Sequence, residues 1–324
     1  MALVTILILL SFVSFLLGRY GLKPSETLLV LASKLFPVEA TWPPTYEVVV
    51  FQVRLPRILA AIIVGSALSL AGCAYQGVFK NPLVSPDILG ASAGASLGAV
   101  SAIFLSMNAF SIKVMTFAFS MAAVGAAYAV SSRMKRDPTL ALVLSGVFVS
   151  SLCNALVSFF KFAADPNDKL PTITFWLMGS LSTISMSDLK PALFMTILGG
   201  VPLILLRWRI NVLSIGDDEA MALGVDVKRL RYAVILCATL LTASTVSISG
   251  LIGWVGLVVP HLARLFVGPN HRVLLPAATL MGGAFLLMVD DFARTLSTAE
   301  VPLGVLTAIV GAPFFLSMMM REIR

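Results

Sequence analysis

Long apolar runs with no acidic or basic residue follow one another along this chain, and nothing else restricts its fold so strongly. The longest, Tyr232–Ala263, extends over 32 residues. A helix crosses the hydrocarbon core of a bilayer with about 20 apolar residues, so this run is too long for one span. It contains "SISGLIGWVGLVVPH", whose glycines and proline break or kink a helix. It therefore reads as a span ending near Ser249–Gly250, then a shorter, broken span. Further runs at Met1–Gly18, Ile58–Phe79, Ile88–Ile112, Val114–Ser132, Thr139–Phe160, Pro191–Leu206, Val273–Val289 and Val301–Met320 each supply one span, and the expected total is ten. Barrel strands need short segments of alternating polarity, and no such alternation is present.

Composition agrees. Of the 324 residues, 58% are hydrophobic and 12% charged, against about 25% charged in an ordinary globular domain. Such a chain cannot cover itself with a water-facing surface. The net charge of +7 would suggest nucleic acid in a soluble protein, but here the basic residues cluster at the ends of apolar runs, where they anchor topology. Cys73, Cys153 and Cys237 lie far apart inside apolar runs, which is neither a disulfide framework nor a metal spacing. With only two histidines, His261 and His271, no His-rich metal site is expected, and both read as structural. The first run lacks a basic n-region and a small-x-small cleavage site, so it reads as a retained span.

Small residues recur at helical spacing. Gly65, Ser69 and Gly72 share a stripe of the second span, and Gly90, Gly94 and Gly98 repeat in the third; such stripes allow helices to approach closely in lipid. Pro82 and Pro86 push their preceding residues out of the helical region, making Phe79–Asp87 a tight, non-helical corner. Ten spans put both ends of the chain on one side. If that side is cytoplasmic, it holds 13 of the 23 basic residues, including the short clusters "SSRMKRD" and "RWRIN". The positive-inside rule then sets the orientation, with Arg54 and Arg57 on the outer face.

Taken in order, "RLPRILAAIIVGSALSLAGCAYQGVFKNPLVSPDILG", "FWLMGSL", "GDDEAMALGV", "SGLIGWVGLVVPHLAR", "HRVLLP" and "PLGVLTAIVGAPFF" resemble the FecCD-type permeases of type II ABC importers, the family of the vitamin B12, iron-siderophore and haem permeases. The resemblance runs from about Val53 to the C-terminus. It implies an all-α polytopic membrane protein of about ten transmembrane helices, a single permease domain over residues 1–324. It also implies a second permease copy, two cytoplasmic ATPase subunits that carry ATP and Mg, and an extracytoplasmic substrate-binding protein, in a bacterial or archaeal cytoplasmic membrane with both termini inside. No cofactor or metal bound by this chain and no nucleic-acid partner is expected. No Gly-Lys dipeptide occurs, so the chain has no P-loop and is not expected to be an enzyme.

The resemblance also assigns residues. The loop at about 207–231 is the position of a coupling helix that docks on an ATPase. Asp217, Asp218 and Glu219 suit the first turn of a short helix, Gly224 suits its left-handed end, and Ala220, Ala222 and Leu223 are the expected contact face. Asp226 is expected to cap a second short helix ending in Lys228, Arg229 and Arg231. Arg54, Arg57 and Arg294 match the arginines that meet carboxylates of the binding protein, a task suited to the planar guanidinium fork. Thr139 and Leu140 match a region that narrows the pore as a cytoplasmic gate, although Leu140 is apolar where a hydroxyl residue is expected.

Asp290 and Asp291 also admit reading as a proton relay; at a span end they are read instead as solvated carboxylates. An ion-coupled secondary transporter is a weaker alternative: the broken span at Gly250–Pro260 suits one, but no acidic or basic charge lies within Tyr232–Ala263. A hydrolase lacks a nucleophile motif, Ser145 and His261 included. The expected solute is a metal chelate of the siderophore, haem or cobalamin class, with a small oxyanion such as molybdate as the alternative.

Overall fold

The computed structural model describes residues 1–18, 20–34, 36, 40, 42–134, 137–297 and 300–322, without the side chains of 318, 319, 321 and 322. Lys135, Arg136 and Arg324, counted above among the inner basic residues, lie outside the described residues, as does the side chain of Arg321. The described chain is helical throughout, with no strand. Helix α1 (Ala2–Leu16) is followed by short α2 (Pro24–Ala32) and α3 (Pro44–Glu47). A π-helical segment, Val48–Arg54, then leads without a break into α4 (Leu55–Val78). Next come α5 (Ala91–Phe104), α6 (Ala109–Ser131), α7 (Pro138–Ala163), α8 (Lys169–Met178), α9 (Met186–Leu205), α10 (Arg207–Leu213) and α11 (Asp217–Ala222). The series ends with α12 (Val227–Ser249), α13 (Val255–Val267), α14 (His271–Thr295) and α15 (Leu303–Glu322).

Six helices are long and apolar enough to cross a membrane, and four shorter apolar ones, α1, α5, α13 and α15, bring the set among the described residues to ten. The long run splits where expected, α12 ending at Ser249 and α13 starting at Val255. The corner after α4 is non-helical, also as expected.

Helix α4 occupies the interior, against α14, α12, α13 and α9. Its glycine stripe makes this possible. A Cβ on Gly65 would overlap the carbonyl oxygen of Gly282 in α14, and one on Gly282 would overlap that of Gly65. Gly72 stands in the same relation to the carbonyl of Gly256 in α13. Backbones brought this close gain dispersion contacts, which lipid-solvated helices need because the tails are as apolar as leucine. Helices α6, α7 and α9 are peripheral, and α7 leaves Val147, Phe148, Leu152, Phe159 and Phe162 uncovered. In water that stripe would be a liability; against lipid or another apolar helix it is an ordinary surface.

Three features depart from the sequence reading. The boundary between the third and fourth spans falls at Leu105–Asn108, not at Lys113, because the Asn108 side chain accepts from the Ser111 N–H at 2.9 Å and starts α6 there. Lys113 is thereby carried into α6, where its ammonium pairs with Asp188 in the first turn of α9. Four helices were unanticipated: α2 and α3 between the first two spans, α8, inside a hydroxyl-rich segment, and α10, which follows α9 after a break at Leu206. Lys228, Arg229 and Arg231 do not end a separate short helix. They form the first turns of α12 itself, because Asp226 accepts from the Arg229 N–H and caps the span directly.

The chain reverses at each corner and so sorts its connections to two ends. The corners after α4 and α6, together with α10 and α11, share one end. The segment between α1 and α4, helix α8 and the corners after α12 and α14 share the other. These are called the α11 end and the arginine end.

Candidate functional site

At the α11 end the motif "GDDEAMALGV" folds as its residue types require. Asp217, Asp218 and Glu219 form the first turn of α11, where acidic groups complement the positive end of the helix dipole. Gly224 follows the C-cap Leu223 with φ +77°. Its N–H donates to the Met221 carbonyl at 2.9 Å, and the Val225 N–H donates to the Ala220 carbonyl at 2.9 Å. This paired closure is a Schellman motif, which needs the left-handed residue that glycine adopts without steric cost.

That closure corrects the expected contact face. Ala220 is fully buried and, with Val225, belongs to the core beneath α11. The face left outside is Asp218, Glu219, Met221, Ala222, Leu223 and Gly224. Met221 thus takes the place given to Ala220, and Leu223, 59% exposed, is its largest apolar surface together with Met221.

Asp217 turns sideways and joins three elements. Lys80, the residue after the C-cap of α4, places Nζ 2.7 Å from Oδ1, and Arg231 of α12 places Nη2 3.1 Å from Oδ2. Partial burial opposes the carboxylate charge, but the hydrogen bonds and charges of Lys80 and Arg231 outweigh it and hold the Asp217 carboxyl below the ordinary range. Beside this group a cavity of about 640 Å³ opens between the ends of α6 and α7 and the start of α12, lined by Tyr128, Met134, Leu142 and Met221 among others. Thr139 and Leu140 lie at the rim of the same end. Asp137 caps α7 by accepting from both of their N–H groups at 2.9 Å, and the Leu140 side chain is exposed.

At the arginine end the structure brings Arg54, Arg57 and Arg294 together, but not as outward-facing charges: they are 3%, 6% and 5% exposed. Arg57 grips Asp290 with Nε at 2.9 Å from Oδ2 and Nη2 at 2.9 Å from Oδ1, and its Nη1 lies 2.9 Å from Glu300. Arg294 pairs with Asp291, donates to the Ser14 carbonyl at 3.1 Å and has Nε 3.5 Å from Asp290. Arg54 donates to the carbonyls of Phe15 and Tyr20. Three arginines and three carboxylates thus close a neutral cluster that fastens the end of α1 to α4 and α14. Asp290 and Asp291 are not solvated, contrary to the reading from their position: Asp290 has no exposed surface. A buried carboxylate demands a partner, and the partners are those arginines.

Sequence reasoning missed Glu300, Ser14 and Lys80, whose roles exist only through partners far along the chain. The one available signal was charge matching: acids at positions 290, 291 and 300 sit on the same predicted side as the three arginines. Next to Glu300 a second cavity, of about 650 Å³, is lined by Lys113, Trp176, Ser180, Thr183, Ser249 and Pro302 among others. Its α8 wall is joined to the start of α15 by the Leu303 N–H, which donates to the carbonyl of Gly179, the C-cap of α8, at 3.0 Å. Cys73, Cys153 and Cys237 are buried free thiols. Among the described residues no three His, Cys, Asp or Glu side chains converge as a metal site, and the Ser145 hydroxyl donates to the sulfur of Met134.

Comparison with known proteins identifies this architecture. Residues 6–321 match the model of the FecCD transport family. The molybdate import system permease of Haemophilus influenzae is 41% identical over 310 residues, 96% of this chain and 91% of that protein. The cobalamin import system permease of Halobacterium salinarum is 41% identical over 290 residues, 89% of this chain and 78% of that one. Among solved structures, an inward-facing transporter assigned to the metal-chelate type of ABC transporter superposes with a TM-score of 0.89 at 39% identity, covering 99% of this chain and 98% of its own.

Proposed function

The chain belongs to the FecCD transport family, and from that premise we propose that it is the ten-helix permease subunit of a binding-protein-dependent ABC importer carrying a metal chelate across a bacterial or archaeal cytoplasmic membrane. The observation that carries this reading is α11. It is a six-residue helix, closed at its C-terminus by the Schellman motif, presenting Met221, Ala222 and Leu223 outward from the end of a membrane bundle. A helix so exposed and so firmly closed is suited to seat in a groove of a separate protein, here one of two ATPase subunits that bind ATP and Mg. A second permease copy covers part of the apolar periphery. The α11 end is cytoplasmic in this reading, in keeping with its Lys80, Arg133, Arg207, Arg209, Lys228 and Arg229. Transport proceeds by alternating access: ATP turnover displaces α11, and the bundle opens at one end as it closes at the other. Thr139 and Leu140, in the first turn of α7 at the α11 end, act as the cytoplasmic gate.

Docking of the binding protein belongs at the arginine end. With Arg54, Arg57 and Arg294 engaged inside the chain, the accessible member of the cluster is Glu300, whose side chain is 30% exposed. A partner carboxylate reaches the arginines by taking the place of Glu300 on Arg57, an exchange of like for like that keeps the buried charges paired.

A small oxyanion is the second reading for the solute, favoured by the molybdate permease that shares 41% identity over nearly the whole chain. A cobalamin permease shares the same identity, so overall similarity does not separate the two. The test is uptake into proteoliposomes holding the purified permease and its co-expressed ATPase, supplied with the cognate binding protein and its co-purifying ligand identified by mass spectrometry. ATP-dependent uptake of that ligand is expected. Uptake driven by a proton or sodium gradient without the ATPase would overturn the reading.

A further inference from the structure

We infer that the Lys80–Asp217–Arg231 group is the mechanical joint through which a displacement of α11 reaches α4 and α12 together. The inference rests on the reading of α11 as the ATPase-facing helix, and it concerns how that helix is connected to the spans.

Apart from the buried Ala220 and the following Val225, α11 is largely outside the bundle. Apolar packing of that kind resists a push but is non-directional and yields to a pull or a slide. Besides the chain itself, which runs from α10 through α11 into α12, the directional connections are ionic. Asp217 Oδ1 takes Lys80 Nζ at 2.7 Å from the end of α4, and Oδ2 takes Arg231 Nη2 at 3.1 Å from α12. One carboxylate therefore holds two spans, one by each oxygen.

The backbone at Lys80 points the same way. Lys80 has φ +50°, the left-handed conformation that closes many helices and is adopted without penalty by glycine. A lysine there carries a steric cost with no local return; what it supplies is an ammonium that reaches α11. The corner around it is stiff, so motion at Lys80 is motion of α4. The Asn81 N–H donates to the Gln76 carbonyl at 3.2 Å, the Gln76 amide donates to the Val84 carbonyl at 3.4 Å, and Arg264 of α13 donates to the Gln76 side chain at 2.9 Å. Helix α4 packs against α12, α13, α14 and α9, and α12 against α9, α4, α6 and α5. A joint acting on both addresses most of the interior at once.

The experiment uses the full permease co-purified with its ATPase subunits in proteoliposomes, measuring ATPase co-purification, ATP hydrolysis, uptake per ATP and thermal stability. Lys80→Gly removes the ammonium while relieving the backbone. It should raise the melting temperature or leave it unchanged, retain the ATPase and its turnover, and lower uptake per ATP about tenfold. Lys80→Met should lower uptake per ATP similarly, and Asp217→Asn at least as much, whereas Asp217→Glu should recover most of it. Unchanged uptake per ATP in Lys80→Gly and Lys80→Met overturns the joint. So does loss of the ATPase subunit from either, which would make Lys80 a docking contact. A wild-type permease that retains no ATPase subunit overturns the assigned function itself, an outcome distinct from both.

Discussion

Arg57 and Asp290 form a two-pronged ion pair, Nη2 to Oδ1 and Nε to Oδ2 both at 2.9 Å, with the carboxylate wholly shielded from water. The partners are 233 positions apart in the chain, so the pair locks α4 to α14 at the arginine end. Removing Asp290 leaves Arg57 charged and buried with only the partly exposed Glu300 opposite it, and breaking a buried pair in this way costs up to about 3–5 kcal/mol. Asp290→Asn should therefore lower the unfolding midpoint in detergent sharply. A midpoint within a degree of wild type would show that the pair is dispensable.

Glu300 is the partly exposed member of that cluster, and its replacement tests the exchange proposed for docking. Glu300→Gln frees Nη1 of Arg57 without exposing a new carboxylate. Affinity for the binding protein should rise by up to about fivefold, the equivalent of about 1 kcal/mol for a partly exposed pair, with a steeper dependence on salt. Surface plasmon resonance at two ionic strengths measures both. Charge reversal of Arg54, Arg57 or Arg294 should abolish docking, but it will also disrupt the cluster, so Glu300→Gln is the cleaner variant.

The contact between α4 and α13 predicts intolerance of one methyl group. A Cβ at Gly72 would overlap the Gly256 carbonyl, backbone that cannot swing aside. Gly72→Ala should lose about 1–3 kcal/mol, the usual range for overpacking. Gly125, whose added Cβ meets nothing within 4 Å, is the control: Gly125→Ala should be neutral or mildly stabilising by thermal unfolding in detergent.

Gly224 ends α11 with φ +77° and donates its N–H to Met221. Proline has neither that dihedral nor that donor. Gly224→Pro should insert and fold normally yet lose ATP-dependent uptake, while Gly224→Asn, tolerant of the left-handed region, should retain much of it. Uptake beside membrane abundance distinguishes the two.

The depressed carboxyl of Asp217 sets a pH window. A group whose pKa is lowered by folding contributes stability that is present above its unfolded value, about 3.9, and is lost only as pH falls through the lower folded value. Asp217 is such a group. Hydrogen exchange at α11 should thus be protected evenly from pH 8 to 5, apart from the intrinsic rate, and loosen only in stronger acid. In Asp217→Asn the protection should be lower throughout and lack that acid step.

Much of the bundle was legible because hydrocarbon imposes a simple rule on sequence: a crossing helix is long, apolar and nearly free of charge away from its ends. Runs such as Ile58–Phe79 and Thr139–Phe160 obey it, and the break at Gly250 announces itself as glycine within an overlong run. The ends of α11 were legible for a local reason as well. Caps act over three or four residues, so Asp217 and Gly224 carry their own signal. Helix α8 was less visible, because ten residues opening on Lys169 and carrying Thr172 and Thr174 fall below the length at which hydrophobicity speaks.

The orientation of single side chains and the pairing of distant charges followed a different logic. Ala220 looks like a contact residue until the Schellman closure turns it inward, and Asp290 looks solvated until α4 and α14 meet through Gly65 and Gly282 and bring Arg57 against it. By itself the sequence determined the number of apolar helices in the bundle, where most of them stop and which loop protrudes, since these depend on composition over a window and on neighbours a turn away. Only the tertiary structure decided which charges neutralise one another and which remain available to a partner. That outcome rests on contacts between residues hundreds of positions apart, and in a low-dielectric interior a buried charge is stable only where the folded backbone delivers its counter-ion.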